Sequence, residues 1–156
     1  MIEKQEFYHG AAVLRAIQDP RCMSMVQFDL GYVVNVKCLF LVKYTTKPSS
    51  PWRFTFSADE FGRISSHLNS FAKIVVTLVC GDDGICALDW AEAERLLGMQ
   101  PGWISVKRSF SGSYAVAGSE GLLKRRIPLK RWPALLFDSE DMNELTEPAT
   151  SEDDHN

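Results

Sequence analysis

The sequence predicts an α/β fold, a mixed β-sheet flanked by helices, on three observations. The run Ile74–Cys80 is continuously apolar, as a central strand covered on both faces must be. A longer apolar run, Tyr32–Tyr44, exceeds the length of one strand and predicts a hairpin. Helical periodicity precedes that hairpin and recurs between it and the central strand.

Each element has its own signal. Phe7, Ala11, Leu14 and Ile17 recur at helical spacing, predicting a helix from Glu3 to about Gln18; Asp19-Pro20 ends it. Met23–Phe28 reads as a short strand, and the tight turn inside Tyr32–Tyr44 is placed at Val36-Lys37. Pro48-Ser49-Ser50-Pro51 breaks the chain before Trp52–Phe56, which alternates large and polar residues and predicts a strand with Trp52 and Phe54 packed inward. Ser57 as N-cap and Glu60 three residues later form a capping box for a helix to about Asn69, with Phe61, Ile64 and Leu68 on one face.

Gly81-Asp82-Asp83-Gly84 has hairpin-turn chemistry, its final Asp-Gly pair tolerating positive φ, and Ile85–Leu88 returns as a strand. A second capping box, Asp89 with Glu92, opens the helix Trp90–Leu97, which Gly98 closes. Trp103–Phe110, Tyr114–Ala117 and Leu122–Ile127 then predict an antiparallel β extension of the same sheet. No internal repeat or second domain is visible, so residues 1–137 are expected to form one α/β domain.

Composition excludes several classes. The chain of 156 residues is 46% hydrophobic and 24% charged, as an ordinary globular protein is. Its longest aliphatic run is far too short to cross a bilayer, and no signal-peptide core follows the acidic N-terminus, which predicts a cytoplasmic protein without membrane contact. Cys22, Cys38, Cys80 and Cys86 show neither C-x-x-C spacing nor a disulfide-dense pattern, and are expected as free thiols, three of them in apolar strands. Walker, dinucleotide-loop, nucleophile-elbow and H-E-x-x-H patterns are absent from the sequence, and three scattered histidines make no zinc motif. Nothing in the sequence sets the oligomeric state.

The net charge of −3 conceals an asymmetry. Residues 138–156 carry eight acidic and no basic side chains, leaving 17 basic against 12 acidic in residues 1–137, a net of +5. That polar acidic tail is expected to be disordered. Between Trp103 and Phe137, Lys107, Arg108, Lys124, Arg125, Arg126, Lys130 and Arg131 face only Glu120, which makes them the candidate nucleic-acid-binding residues.

The order helix, three strands, helix, strand, with Lys43 late in the second strand of the hairpin, resembles the restriction-endonuclease-like PD-(D/E)XK nucleases over Glu3–Cys80. The resemblance implies Glu6 as the helix acid, Asp29 as the first strand acid and Lys43 as the lysine of a Mg²⁺-dependent phosphodiesterase, a chemistry that needs converging carboxylates. The second acid of that pattern stands two residues before the lysine, and here it is Leu41, which cannot ligate a metal. The motifs Tyr8-His9-Gly10-Ala11-Ala12, Pro51–Phe56, Leu78–Ile85 and Trp103–Arg108 further resemble those of a family of small bacterial proteins, and assign no activity.

The expectation is therefore a catalytically degenerate nuclease-fold accessory protein, with no cofactor, acting with nucleic acid or a nucleic-acid-processing protein partner. The resemblance suggests phage defence or a mobile element as its setting. Two alternatives stay open. One is an active Mg²⁺-dependent nuclease using Glu6, Asp29, Lys43 and Asp82. The other is a protein-interaction module whose acidic tail docks a partner. Glu6 and His9, one helical turn apart, are either an acid and a ligand or an ordinary exposed pair.

Overall fold

Two sheets and the helices packed on them account for every strand of the structure, a computed structural model that describes residues 1–109 and 112–138. The acidic tail, expected from the sequence to be disordered, lies outside those residues apart from Asp138.

The first helix, α1 (Lys4–Gln18), leads into a meander of three strands, β1 (Met25–Phe28), β2 (Gly31–Val34) and β3 (Cys38–Thr45). Next come β4 (Trp52–Phe56), α2 (Ala58–Ser66), β5 (Lys73–Cys80), β6 (Gly84–Asp89) and α3 (Trp90–Leu97). The chain continues through β7 (Gly102–Lys107), β8 (Ala115–Gly118), β9 (Gly121–Leu122) and the short helical turn α4 (Arg131–Ala134). The larger sheet has the order β1-β2-β3-β5-β6; β3 and β5 run parallel and every other neighbour pair is antiparallel. The smaller sheet has the order β4-β7-β8-β9 and is wholly antiparallel.

The continuously apolar strands β3 and β5 lie in the interior of the larger sheet and bury both faces. Leu39, Leu41, Val76 and Leu78 pack toward the smaller sheet, α2 and α3, while Phe40, Val42, Val75 and Val79 pack toward α1 and Trp132 of α4. Hydrophobic burial of roughly 1.5–3 kcal/mol per large side chain is the main force holding these layers together.

Several expectations are corrected. The three C-terminal strands do not extend the larger sheet; they pair with β4 instead. Trp52–Phe56 therefore leaves the larger sheet, with Trp52, Phe54 and Phe56 buried against it and Arg53 and Thr55 exposed. The succession helix, three strands, helix, strand survives in the larger sheet, but with β1 as a member and β4 set aside. The hairpin turn spans Asn35-Val36-Lys37, the expected Val36-Lys37 with one residue more, and Asn35 and Val36 take positive φ. Consequently Gly31 pairs with Leu41, one step from the register that would set Lys43 opposite Leu30. In the turn after β5 the positive φ falls on Gly81 rather than on the Asp-Gly pair; a side chain there would run into the Lys47 carbonyl.

The helix α1 lies where its spacing predicts, with its bulky apolar stripe outward. Ala12 and Ala16 are its fully buried residues, with Tyr8 and Val13 half-buried beside them, and Phe7, Leu14 and Ile17 face solvent. Small side chains let the helix approach the sheet closely, and the bulky residues at similar spacing occupy the opposite face. Both predicted capping boxes are present, and Gly98 closes α3 in the left-handed conformation. All four cysteines are free; Cys38, Cys80 and Cys86 are buried, and burial pushes the Cys38 thiol up to about 12. No helix among the described residues is long and apolar enough to cross a membrane.

Candidate functional site

Because β2 pairs with β3 only as far as Leu41, residues Val42–Thr45 of β3 run on beyond the hairpin. An open cleft of about 340 Å³ lies beside this stretch. Gln5 and His9 line it from α1, Asp29 and Tyr32 from the β1–β2 turn and β2, Lys43 from β3, and Glu60 from α2. Asp29 and Lys43, chosen from sequence, are thus brought into one cleft. Glu6 is not part of its wall: its carboxylate accepts the Glu3 backbone N–H at 3.0 Å and caps α1. Asp82 lines a separate groove between α1 and the β5–β6 turn.

The charged groups of the cleft are already matched to one another. Lys43 Nζ donates to Glu60 Oε2 at 2.6 Å. Asp29 accepts from Arg63 on one carboxylate oxygen and faces His67 Nε2 at 2.8 Å on the other. Those two partners, His67 first and then Arg63, hold the Asp29 carboxyl below the usual carboxylate range. Burial raises the Glu60 carboxyl, but the hydrogen bonds from Lys43 and from the Ser57 N–H, together with the Lys43 charge, outweigh it and leave the group lowered. On the α1 side, His9 Nδ1 lies 2.9 Å from the Tyr32 hydroxyl, and burial lowers the imidazole's pKa.

These residues do not fit a Mg²⁺ site. Leu41 is buried in the apolar layer between the sheets, both oxygens of Asp29 are engaged by cationic or imidazole donors, and Glu60 is tied to Lys43. Among the described residues no group of three or more His, Cys, Asp or Glu side chains is arranged to hold a metal ion.

Sequence reasoning missed Glu60 as the partner of Lys43, and Arg63 and His67 as the partners of Asp29. Glu60 carried a visible signal, the capping box, but that role already accounted for it. Arg63 of α2 and His67, the C-cap of that helix, are four apart, a spacing that places them on one side.

The basic C-terminal segment divides in two. Arg108 is committed to Asp83, with Nε at 2.8 Å and Nη2 at 2.6 Å, and the Tyr114 hydroxyl donates to the same carboxylate at 3.1 Å. Arg131 pairs with Glu92 at 2.8 Å and also donates to the Ala87 carbonyl. Both arginines are held in ion pairs within the fold. Arg126 reaches the Ser113 carbonyl at 3.5 Å, and Arg125 is half-buried. Lys107, Lys124 and Lys130 project into solvent.

Compared with protein-family models, curated proteins and solved structures, the chain shows no match.

Proposed function

We propose that the protein is a non-hydrolytic accessory protein of nuclease-like architecture that binds nucleic acid or a partner handling it. The observation that carries this reading is the closed pairing of Lys43 with Glu60 beside a buried Leu41. A cleft at the open end of the hairpin keeps the lysine and loses the metal-ligating carboxylate. The succession of three strands, helix and parallel strand in the larger sheet supports the architecture, and the net +5 of residues 1–137 with solvent-facing Lys107, Lys124 and Lys130 supports a polyanionic ligand. Fold analogy alone would assign no activity.

The test is incubation with Mg²⁺ or Mn²⁺ and single-stranded, duplex and branched DNA, alongside binding of the same substrates at low salt. Binding without cleavage is expected. Cleavage that disappears in Lys43→Ala would overturn the non-hydrolytic reading and favour an active nuclease. A second reading, a protein-interaction module, is favoured by one observation: Phe7, Leu14 and Ile17 form an exposed apolar stripe on α1. Absence of any nucleic-acid binding would move the argument to that reading.

A further inference from the structure

The outer face of the smaller sheet holds a feature that the cleft does not explain. Strand alternation and register place Arg53 and Thr55 of β4, Trp103, Ser105 and Lys107 of β7, and Ala115 and Ala117 of β8 on one face. The inward residues of the same strands, among them Phe54, Ile104 and Val106, are buried in the core. No described element packs over the outward set: Arg53, Thr55 and Lys107 are exposed and the others half-exposed.

Three properties of this face point the same way. It carries Arg53 and Lys107 and, at its described positions, no carboxylate. Beyond these two, Trp103 and the exposed Leu122 at the β9 edge, its side chains are small, so a planar group can lie close to the backbone over β7 and β8. The Arg53 guanidinium lies over the Trp103 ring, 3.9 Å from its centroid, giving a flat cationic platform instead of two separate side chains. Nucleobases stack on aromatic rings and on guanidinium planes, and exposed sheets use such platforms for single strands. A base pair inside a duplex keeps its faces covered by its neighbours and cannot use the platform.

We propose that this face binds single-stranded nucleic acid, with a base stacked on the Arg53–Trp103 pair and the backbone phosphates running past Arg53 and Lys107 toward Lys124, which follows β9. This deepens the proposed function and rests on its nucleic-acid reading; it names the ligand class and the surface. Phosphate contacts of this number imply a shallow salt dependence, about −0.7 in log affinity per log salt for each contact on a single strand.

The chain has a built-in reporter. Of its four tryptophans, Trp52, Trp90 and Trp132 are buried, and Trp103 alone is partly exposed. Titration of the full chain with oligo(dT) should therefore quench tryptophan fluorescence, and a short random-sequence duplex should bind more weakly with little quenching. Trp103→Phe should remove the quenching while retaining most of the binding. Arg53→Ala and Trp103→Ala should each weaken oligo(dT) binding about tenfold, the loss of one stacked base. Arg15→Ala, which removes a cation from α1 on the far side of the larger sheet, should bind as the parent does.

Trp103→Ala is checked by circular dichroism, and Arg53→Ala gives the answer if that variant fails to fold. Parent-like affinity in Arg53→Ala, or oligo(dT) bound without quenching, would overturn the platform and leave the broader nucleic-acid reading standing. No binding by the parent protein to any nucleic acid would overturn both.

Discussion

Lys43 Nζ lies 2.6 Å from Glu60 Oε2 and 4.9 Å from the centroid of the Phe56 ring. One ammonium thus joins β3 of the larger sheet, the end of β4 in the smaller sheet and the first turn of α2. The residue that resembles a catalytic lysine is used as a clasp between layers. That arrangement has measurable consequences.

The clasp should titrate. Glu60 has a lowered pKa in the folded protein, because the Lys43 and Ser57 contacts outweigh its burial. The folded state therefore favours the carboxylate. Its contribution to stability is complete above the ordinary glutamate pKa, about 4.3, and is lost as pH falls through the lowered folded value. Glu60→Gln should lower the melting temperature at neutral pH, by no more than about 1 kcal/mol of stability because the pair is partly exposed. The gap between parent and variant should close below about pH 4. A gap of unchanged size at pH 3 would show that the carboxylate charge is not what Lys43 needs.

Placing an acid at position 41 should fail by unfolding, not by inactivity alone. Leu41 is 4% exposed and packed between the two sheets. Leu41→Asp removes that packing, which costs about 2–5 kcal/mol for a Leu truncation, and puts a carboxylate into an apolar layer. A marginal or unfolded protein without Mg²⁺-dependent cleavage is expected. A folded Leu41→Asp variant that cuts DNA would show that the cleft accepts a metal after all.

What the sequence made legible follows from how local each signal is. Capping boxes and the apolar strands β3 and β5 depend on neighbours in the chain, and they are found where expected. The strand at Trp52–Phe56 was also visible, because its alternation is local. Its sheet was not, because joining β7 is a pairing across some fifty residues that no period encodes. The helix α1 shows a different limit. Its most apolar stripe is the exposed one, since buried alanines leave a weaker pattern than Phe7, Leu14 and Ile17 do. Asp29 and Lys43 were legible as a pair through the hairpin, whereas Glu60, Arg63 and His67 reach them from a separate element.

The β2–β3 turn should carry relievable strain. Val36 is 81% exposed at φ 64, a conformation that β-branched residues resist. Val36→Gly should raise stability by about 1 kcal/mol, read as a higher denaturant midpoint. Asn35 at φ 52 is different: its side chain accepts from the Met23 and Ser24 N–H groups and donates to the Arg21 carbonyl. Asn35→Gly should therefore destabilise, although it relieves the same backbone angle. Equal effects at the two positions would mean that the side-chain bonds contribute nothing.

Thr77 is a second place where the fold stands below its optimum. It is fully buried in the middle of β5, and its hydroxyl has no hydrogen-bond partner among the described residues. A buried hydroxyl without a partner costs about 1–3 kcal/mol in desolvation. Thr77→Val keeps the shape and removes that penalty, so its melting temperature should rise. A clear loss of stability would reveal a partner for the hydroxyl, such as an ordered water.

The exposed stripe of α1 separates packing from recognition. Phe7, Leu14 and Ile17 are 61%, 56% and 53% exposed, while Ala12 and Ala16 are fully buried on the opposite face. Replacing Phe7 and Leu14 together with serine should change stability by no more than about 0.5 kcal/mol per site. Ala16→Leu, by contrast, forces extra volume between helix and sheet and should cost about 1–3 kcal/mol. Chemical denaturation of both variants measures the contrast directly. A loss of several kcal/mol in the Phe7→Ser/Leu14→Ser protein would mean that the stripe is covered in solution. Sedimentation of the parent and the double variant then tells whether a second copy covers it: a parent dimer that becomes monomeric in the variant would make α1 an assembly surface. Unchanged stability and unchanged mass leave the stripe open, and a protein partner captured by the parent but not by the folded double variant would place recognition there.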